Sequence, residues 1–187
     1  MTETTPNSIE TTRLLLRPMR GDDFEALYQI FTDPQVMASF GGELFTSAQM
    51  HGWLNRNLAH QTEFGYGLFS VIRKADGMLI GNCGLEQMIV EGHAAAELGY
   101  DFRSDTWNQG FATEAACAVR DFAFTVLRLP QLVSLIRVGN LASKRVAEKV
   151  GMRQTAELER YGFRYWQFAL ESREKTSERA ERPAPGA

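Results

Sequence analysis

One stretch of the chain, residues 107–115, carries the residue types of an anion-binding turn and reads Trp-Asn-Gln-Gly-Phe-Ala-Thr-Glu-Ala. Apolar residues then recur at three- and four-residue steps, which predicts a helix beginning just after Gly110. The first N–H groups of a helix lack partners within it, and the helix dipole adds positive charge there. Gly110 and Ala112 leave the backbone open to a ligand, so the stretch is typical of a pyrophosphate site. The alternative is an ordinary strand–helix turn.

The two cysteines offer little chemistry of their own. Cys83 and Cys117 are far apart and fit no paired metal-ligand spacing, so the sequence supports no metal site. A catalytic thiol needs an activating base, and none stands beside either residue in the sequence. Two buried thiols of a cytoplasmic protein are the preferred interpretation.

Composition excludes several classes of function. At 187 residues, 44% hydrophobic and 23% charged, the chain is typical of one globular domain. It has no run of apolar residues long enough to span a membrane, and its polar start does not resemble a signal peptide. A net charge of -3 disfavours a nucleic-acid-binding module. We expect a cytoplasmic protein that acts without a membrane or direct nucleic-acid contact.

Periodicity and turn residues predict the elements that must position the 107–115 stretch. Strands are predicted over residues 12–18, 68–73, 78–90, 94–102, 131–138, 152–160 and 163–170. Helices are predicted over residues 22–33, 47–61, 111–127 and 141–150, the first with a capping box from Asp22 to Glu25. This order predicts an α+β fold around a mostly antiparallel sheet. The expected domain covers residues 10–171, with flexible tails at 1–9 and 172–187.

Four stretches together carry a resemblance to the GNAT superfamily of acetyl-CoA-dependent N-acetyltransferases, and within it to the RimJ/RimL branch. They are Thr-Arg-Leu-Leu-Leu-Arg-Pro at 12–18, Asp-Pro-Gln-Val-Met at 33–37, the stretch 99–115, and Asn-Leu-Ala-Ser at 140–143 followed by Glu-Lys-Val-Gly-Met at 148–152. The resemblance implies a mixed αβα architecture with a central sheet of six to seven strands, splayed at the cofactor site and flanked by about four helices.

The resemblance also implies acetyl-CoA as co-substrate, with no metal. Its pyrophosphate would contact the loop backbone, and its pantetheine amides would pair with the strand ending at Phe102. Where Asn108 stands, the superfamily usually has glycine, although asparagine tolerates positive φ better than most residues. The implied cofactor-binding residues are Phe102, Asn108, Gln109, Gly110, Phe111, Ala112, Thr113 and Asn140.

Acetyl transfer to an amine needs a base for the amine proton and an acid near the leaving thiolate. Glu97 is the candidate base, because the superfamily often places an acidic residue on the strand before the cofactor loop. The alternative is a solvated strand glutamate. Ser143 is the candidate acid, because position 147 holds alanine where many members have tyrosine. The alternative is that Ser143 only pads the start of its helix.

The predicted function is direct attack of a primary amine on acetyl-CoA, with a protein N-terminal α-amine, as in ribosomal-protein acetylation, as the preferred acceptor. The alternatives are a small amine (a polyamine, amino acid or aminoglycoside) and a non-catalytic acyl-CoA-binding sensor. A homodimer is left open. Candidate acceptor-wall residues are Phe40, Phe45, Trp53, Phe64 and Tyr66, with Glu43 and Glu63 as acids.

Overall fold

A computed structural model describes residues 8–90, 92–160 and 162–172 of the chain. Most of the two predicted tails, residues 1–7 and 173–187, therefore lies outside the described residues. The strands are β1 (Ile9–Glu10), β2 (Leu14–Pro18), β3 (Leu68–Arg73), β4 (Leu79–Val90), β5 (His93–Phe102), β6 (Gln131–Arg137), β7 (Arg153–Arg160) and β8 (Phe163–Glu171). The α-helices are α1 (Phe24–Phe31), α2 (Pro34–Met37), α3 (Ser47–Phe64), α4 (Phe111–Thr125) and α5 (Leu141–Val150).

The eight strands form one sheet in the order β1-β2-β3-β4-β5-β6-β8-β7. Every neighbouring pair is antiparallel except β5 and β6, which run parallel. The predicted α+β class and mostly antiparallel sheet are confirmed. The strand beyond the predicted seven is β1, whose two residues are too few to show a sequence period.

Helix starts explain two further differences from the prediction. The first helix ends at Phe31, close to the predicted end at residue 33, but the prediction missed the short helix α2, which Asp33 caps and in which proline takes the favoured first position. The predicted capping box from Asp22 to Glu25 is wrong, because α1 begins only at Phe24. Asp23 accepts the Arg20 backbone N–H instead and forms a buried ion pair with Arg17.

Helices cover both faces of the sheet and give the molecule three layers. Helices α4 and α5 pack on one face over a cluster that includes Leu98, Val119 and Phe168. The elements α1, α2 and α3 pack on the other face over a cluster that includes Leu27, Met50 and Leu54.

The sheet opens between β5 and β6. Their ladder consists of two residue pairs, Ala96 with Leu132 and Glu97 with Val133. Beyond these pairs β5 continues to Phe102 and β6 to Arg137 without pairing to each other. The resulting gap lies at the end of β5 that leads into the 107–115 stretch.

Candidate active site

The loop before α4 contains a run of backbone N–H groups without backbone partners. Asn108 and Gly110 both adopt left-handed backbone, with φ of 61° and 82°. The first backbone N–H in this region that bonds to a carbonyl is that of Glu114, which reaches Gly110. Within the described residues, no backbone partner is found for the N–H groups of residues 108–113. This is the arrangement expected of a phosphate-binding helix start.

Phe102 links the loop to the end of β5. Its carbonyl accepts the indole N–H of Trp107 at 2.9 Å, and its ring is buried beneath α4. A carbonyl has two lone pairs, so one remains for the predicted cofactor contact. Phe102 therefore anchors the turn as well as standing at the end of the open strand.

Arg13 braces the loop, a role that the sequence analysis missed. Its Nη1 donates to the Gln109 carbonyl at 2.9 Å, its Nε donates to Glu114 at 2.6 Å, and its guanidinium stacks over Phe111. Burial acts to raise the pKa of Glu114, but hydrogen bonds from Thr11 and Arg13 outweigh it and lower the pKa. Arg13 and Glu114 are 101 positions apart, so no local pattern could have paired them.

The gap between β5 and β6 opens into a cavity of about 430 Å³. Glu97, Asn140 and Ser143, which the resemblance assigned to catalysis or cofactor binding, all line it. The loop residues 108–113 do not line the cavity. The site therefore has two parts, a loop at the start of α4 and a cavity at the opening of the sheet.

Acidic side chains form the floor of this cavity. On β5, alternation places Glu97, Gly99 and Asp101 on one face of the sheet. Across the ladder, Glu86 of β4 is opposite Glu97, and Asn82 is opposite Asp101. Glu86, Glu97, Asp101 and Asn82 all line the cavity, and we call them the acid floor. Only Glu97 among them was predicted as a site residue.

The carboxyl of Glu97 is poised near neutrality. Burial raises its pKa to about 7, and the carboxylates of Glu86 and Asp101 act in the same direction. The N–H of Leu135 and the positive charge of Arg160 oppose the rise. A base whose pKa lies near the working pH is efficient in proton transfer. The environment of Glu97 thus suits the predicted role, and it is not a solvated surface glutamate.

Glu97 also makes a hydrogen bond across the opening of the sheet. Its Oε1 accepts the backbone N–H of Leu135 at 3.1 Å, two positions beyond the last ladder partner on β6. The side chain therefore satisfies a strand N–H that would otherwise be left unpaired in the gap. One carboxyl oxygen is occupied in this way.

Asp101 and Glu86, like Glu97, have pKa values above the ordinary range of carboxyl groups. Burial raises the pKa of Asp101 to about 7 and also raises the pKa of Glu86. The nearby amide of Asn82 partly offsets the rise at Asp101. Asn82 is fully buried, its amide lies beside the Asp101 carboxyl, and among the described residues no hydrogen bond is found for its Oδ1. Buried amide oxygens without partners are rare in folded proteins, so the Asn82 Oδ1 is a candidate ligand contact.

Ser143 and Asn140 lie at the start of α5. The Asn140 side chain accepts the Ser143 backbone N–H at 3.1 Å and so caps the helix. The hydroxyl of Tyr100 donates to the Ser143 carbonyl at 2.9 Å. Burial raises the pKa of Tyr100, which keeps the hydroxyl protonated. Tyr100 thus ties β5 to α5 across the opening.

Part of the predicted acceptor wall is wrong. Phe40, Phe45 and Trp53 do line the cavity. Phe64 packs against His60, and the Tyr66 hydroxyl donates to Gln87. Neither these two aromatic residues nor the predicted acids lines the cavity, because they lie at the last turn of α3 or in the connections before and after that helix. Those acids are Glu43 and Glu63.

Three other observations on the described residues concern the cysteines, metal binding and membrane-spanning helices. Cys83 and Cys117 are unbonded thiols, and burial raises the pKa of Cys83, which leaves it a poor nucleophile. No group of three or more His, Cys, Asp or Glu side chains in the described ranges could hold a metal ion. No helix in the same ranges is long and apolar enough to cross a membrane.

Comparison with known proteins gives the same family from sequence and structure. The family model described as an acetyltransferase (GNAT) domain matches residues 13–153. YkkB, an uncharacterized protein of Bacillus subtilis, is 34% identical over 152 residues, covering 81% of this chain and 88% of its own length. YnaD, an uncharacterized N-acetyltransferase of the same organism, is 30% identical over 146 residues, covering 78% and 82%.

Solved structures share the fold. An acetyltransferase from Agrobacterium tumefaciens superimposes with a TM-score of 0.77 at 28% identity, covering 88% of this chain and 94% of that one. RimJ of Mycobacterium smegmatis, in complex with CoA-disulfide, gives 0.76 at 21%, covering 90% and 89%. A spermidine N-acetyltransferase of Vibrio cholerae, in complex with CoA and spermine, gives 0.71 at 18%, covering 89% and 99%.

Proposed function

The chain belongs to the GNAT acetyltransferase family, and from that premise we propose that it transfers acetyl from acetyl-CoA to a small primary amine. The observation that carries the proposal is the acid floor, which faces a cavity at the opening of the sheet. Buried carboxyl groups attract a cationic amine and can accept its proton. A cavity of about 430 Å³ is of the size that small-molecule sites have.

The residues present fit acetyl-CoA. The unpaired N–H groups of residues 108–113 suit the pyrophosphate, and Arg13 holds that loop in place. The open edge of β5 offers backbone groups to the pantetheine amides, in the manner of an added strand. The bound cofactor would supply an activated acetyl group, so the protein needs no nucleophile of its own.

Proton transfer falls to the side chains that line the cavity. Glu97 is the proposed base, which takes a proton from the ammonium form of the acceptor and leaves a neutral amine able to attack. Ser143 is the proposed acid near the leaving thiolate. Tyr100 positions Ser143 through the hydrogen bond to its carbonyl. The Asn140 cap holds the same turn of α5.

A protein N-terminal α-amine is the second candidate acceptor. The RimJ/RimL resemblance favours it. Structural neighbours include ribosomal-protein acetyltransferases from two Vibrio species. Those neighbours are 21% and 16% identical and so support the fold alone. The size of the cavity and its acid floor favour the small amine. We further propose that the protein acts in the cytoplasm.

Calorimetric titration with acetyl-CoA and, separately, with CoA tests the cofactor half of the proposal. Micromolar binding of both is the expected result, and absence of binding to either would contradict it. The acceptor half is tested by thiol release with small amines and with peptides that have free N-termini. Binding without turnover on any amine would instead support the acyl-CoA sensor.

A further inference from the structure

The acid floor does not account for the positive charge in the same cavity. Arg137, at the end of β6, lines the cavity and stacks over the ring of Phe163, with 3.8 Å from its guanidinium carbon to the ring centroid. The side chain is half-buried, and none of the ion pairs found among the described residues involves it. Arg160 lines the cavity as well, and its charge lowers the pKa of Glu97.

An arginine held in this way is preorganised for an anion. Stacking on Phe163 fixes the plane of the guanidinium, and its N–H donors are matched to the two oxygens of a carboxylate. Nearby, Gly41 has left-handed backbone, and a side chain added there would come within 3.3 Å of Arg137 Nη1. The absence of a side chain at position 41 keeps this end of the guanidinium uncrowded.

Across the β5–β6 opening from Arg137, the lining residues of β4 and β5 are suited to an ammonium group. Asn82 is fully buried with its Oδ1 unpartnered, and it stands across the ladder from Asp101. An amide oxygen and a carboxylate together can accept two of the three N–H bonds of an ammonium. Between Glu97 and Asp101, an added Cβ on Gly99 would meet no atom within 4 Å, so the surface there is open.

We propose that the acceptor is an amino-acid-like zwitterion, with its amine over the acid floor and its carboxylate paired with Arg137. This inference rests on the proposed acetyl transfer and narrows its acceptor. A polyamine would place a second cation against Arg137, and like charges brought together in a partly buried site repel. An uncharged amide or an extended peptide would leave the arginine without its anion.

The test compares amines that differ only in the carboxylate. Thiol release is measured with free amino acids, with the corresponding amino-acid amides, with putrescine and spermidine, and with short peptides. An ω-amino-acid series varies the separation of amine and carboxylate. We expect the amino acid to exceed its amide by about 10- to 100-fold in kcat/KM, the size of a charged hydrogen-bond pair.

Arg137→Gln should remove that preference by lowering kcat/KM for the amino acid and leaving the amide nearly unchanged. Arg137→Lys should restore part of it, since the charge returns without the planar fork. Arg153→Gln, an exposed arginine at the start of β7, is the matched control and should behave as wild type.

Two failures are distinguishable. If amides, peptides or polyamines react as well as amino acids, or Arg137→Gln slows all amines equally, the inference is wrong while acetyl transfer stands. If acetyl-CoA binds and no amine of any class reacts, the proposed function fails, and the inference fails with it.

Discussion

At the scale of single residues, Glu97 has two roles, one as a hydrogen-bond acceptor for β6 and one as the proposed base. One carboxyl oxygen holds the β6 N–H of Leu135, and the group as a whole faces the cavity with a pKa of about 7. A glutamine can keep the first role, because its amide oxygen accepts the same N–H, but it cannot take a proton. The two roles can therefore be separated by one substitution.

Glu97→Gln should lower the acetylation rate by about 100-fold or more and leave the affinity for acetyl-CoA near its wild-type value. In the wild-type protein only the ionised carboxylate acts as base, so the rate should rise as the pH increases through about 7 and then level off. The variant should lack this limb. Steady-state rates between pH 5.5 and 9 give the measurement, and an unchanged profile would remove Glu97 as the base.

Gly99 allows a test of the acceptor space without disturbing the fold. Its backbone lacks the left-handed φ that would strain other residues, and an added Cβ has no neighbour within 4 Å. Gly99→Leu should therefore fold normally, fill the space over the acid floor and raise the acceptor KM at least 10-fold. Gly52→Leu on α3, outside the residues that line the cavity, is the control. Equal kinetics for both variants would place the acceptor elsewhere.

At the scale of elements, the start of α4 is defined by its backbone. Asn108 and Gly110 adopt the left-handed conformation that turns the chain from β5 into the helix. The positive φ of Asn108 agrees with the expectation that asparagine can stand where the superfamily usually has glycine. The cradle depends on this geometry more than on any side chain.

Substitutions at Gly110 should separate charge from conformation. Asparagine tolerates positive φ and is neutral, whereas aspartate has similar size and adds a negative charge where the pyrophosphate is expected. Gly110→Asp should abolish measurable acetyl-CoA binding, while Gly110→Asn should retain more of it. Titration calorimetry with circular dichroism as the folding check decides the matter. Equal affinity of the two variants would count against an electrostatic cradle.

Local patterns predicted the elements better than the contacts between them. The strand at 68–73 and the starts of α3 and α5 were readable because each depends on neighbouring residues. The acid floor was not, because alternation assigns faces within one strand and leaves the β4–β5 register open. The brace between Arg13 and Glu114 depends on the sheet order, which local periodicity does not determine.

At the scale of the whole molecule, the buried carboxyl groups of the acid floor should lower the free energy of unfolding at neutral pH. The pKa of Asp101 is about 7 in the folded protein and near its ordinary value of 3.8 when unfolded. Between these values the folded state holds the proton more tightly, so the stability of the fold falls as pH rises through this window. Above about pH 7 the loss is complete.

Asp101→Asn removes this titration and keeps the size of the side chain. The variant should match the wild type near pH 4 and be more stable by on the order of 4 kcal/mol at pH 8.5. Urea unfolding at the two pH values gives the comparison. A stability difference that is the same at both values would show that Asp101 does not carry the burial cost of a charge.

The two-pair ladder between β5 and β6 divides the sheet into a block of five strands, β1 to β5, and a block of three, β6, β8 and β7. The joint between the blocks is only two residue pairs wide, and the Glu97–Leu135 hydrogen bond extends it by one contact. The pantetheine arm of acetyl-CoA, lying in this gap, would bridge the two blocks of strands. Amides of β6 beyond Val133 should therefore exchange with solvent more slowly when acetyl-CoA is bound. Binding of the cofactor would then stabilise the contact between the two halves of the sheet.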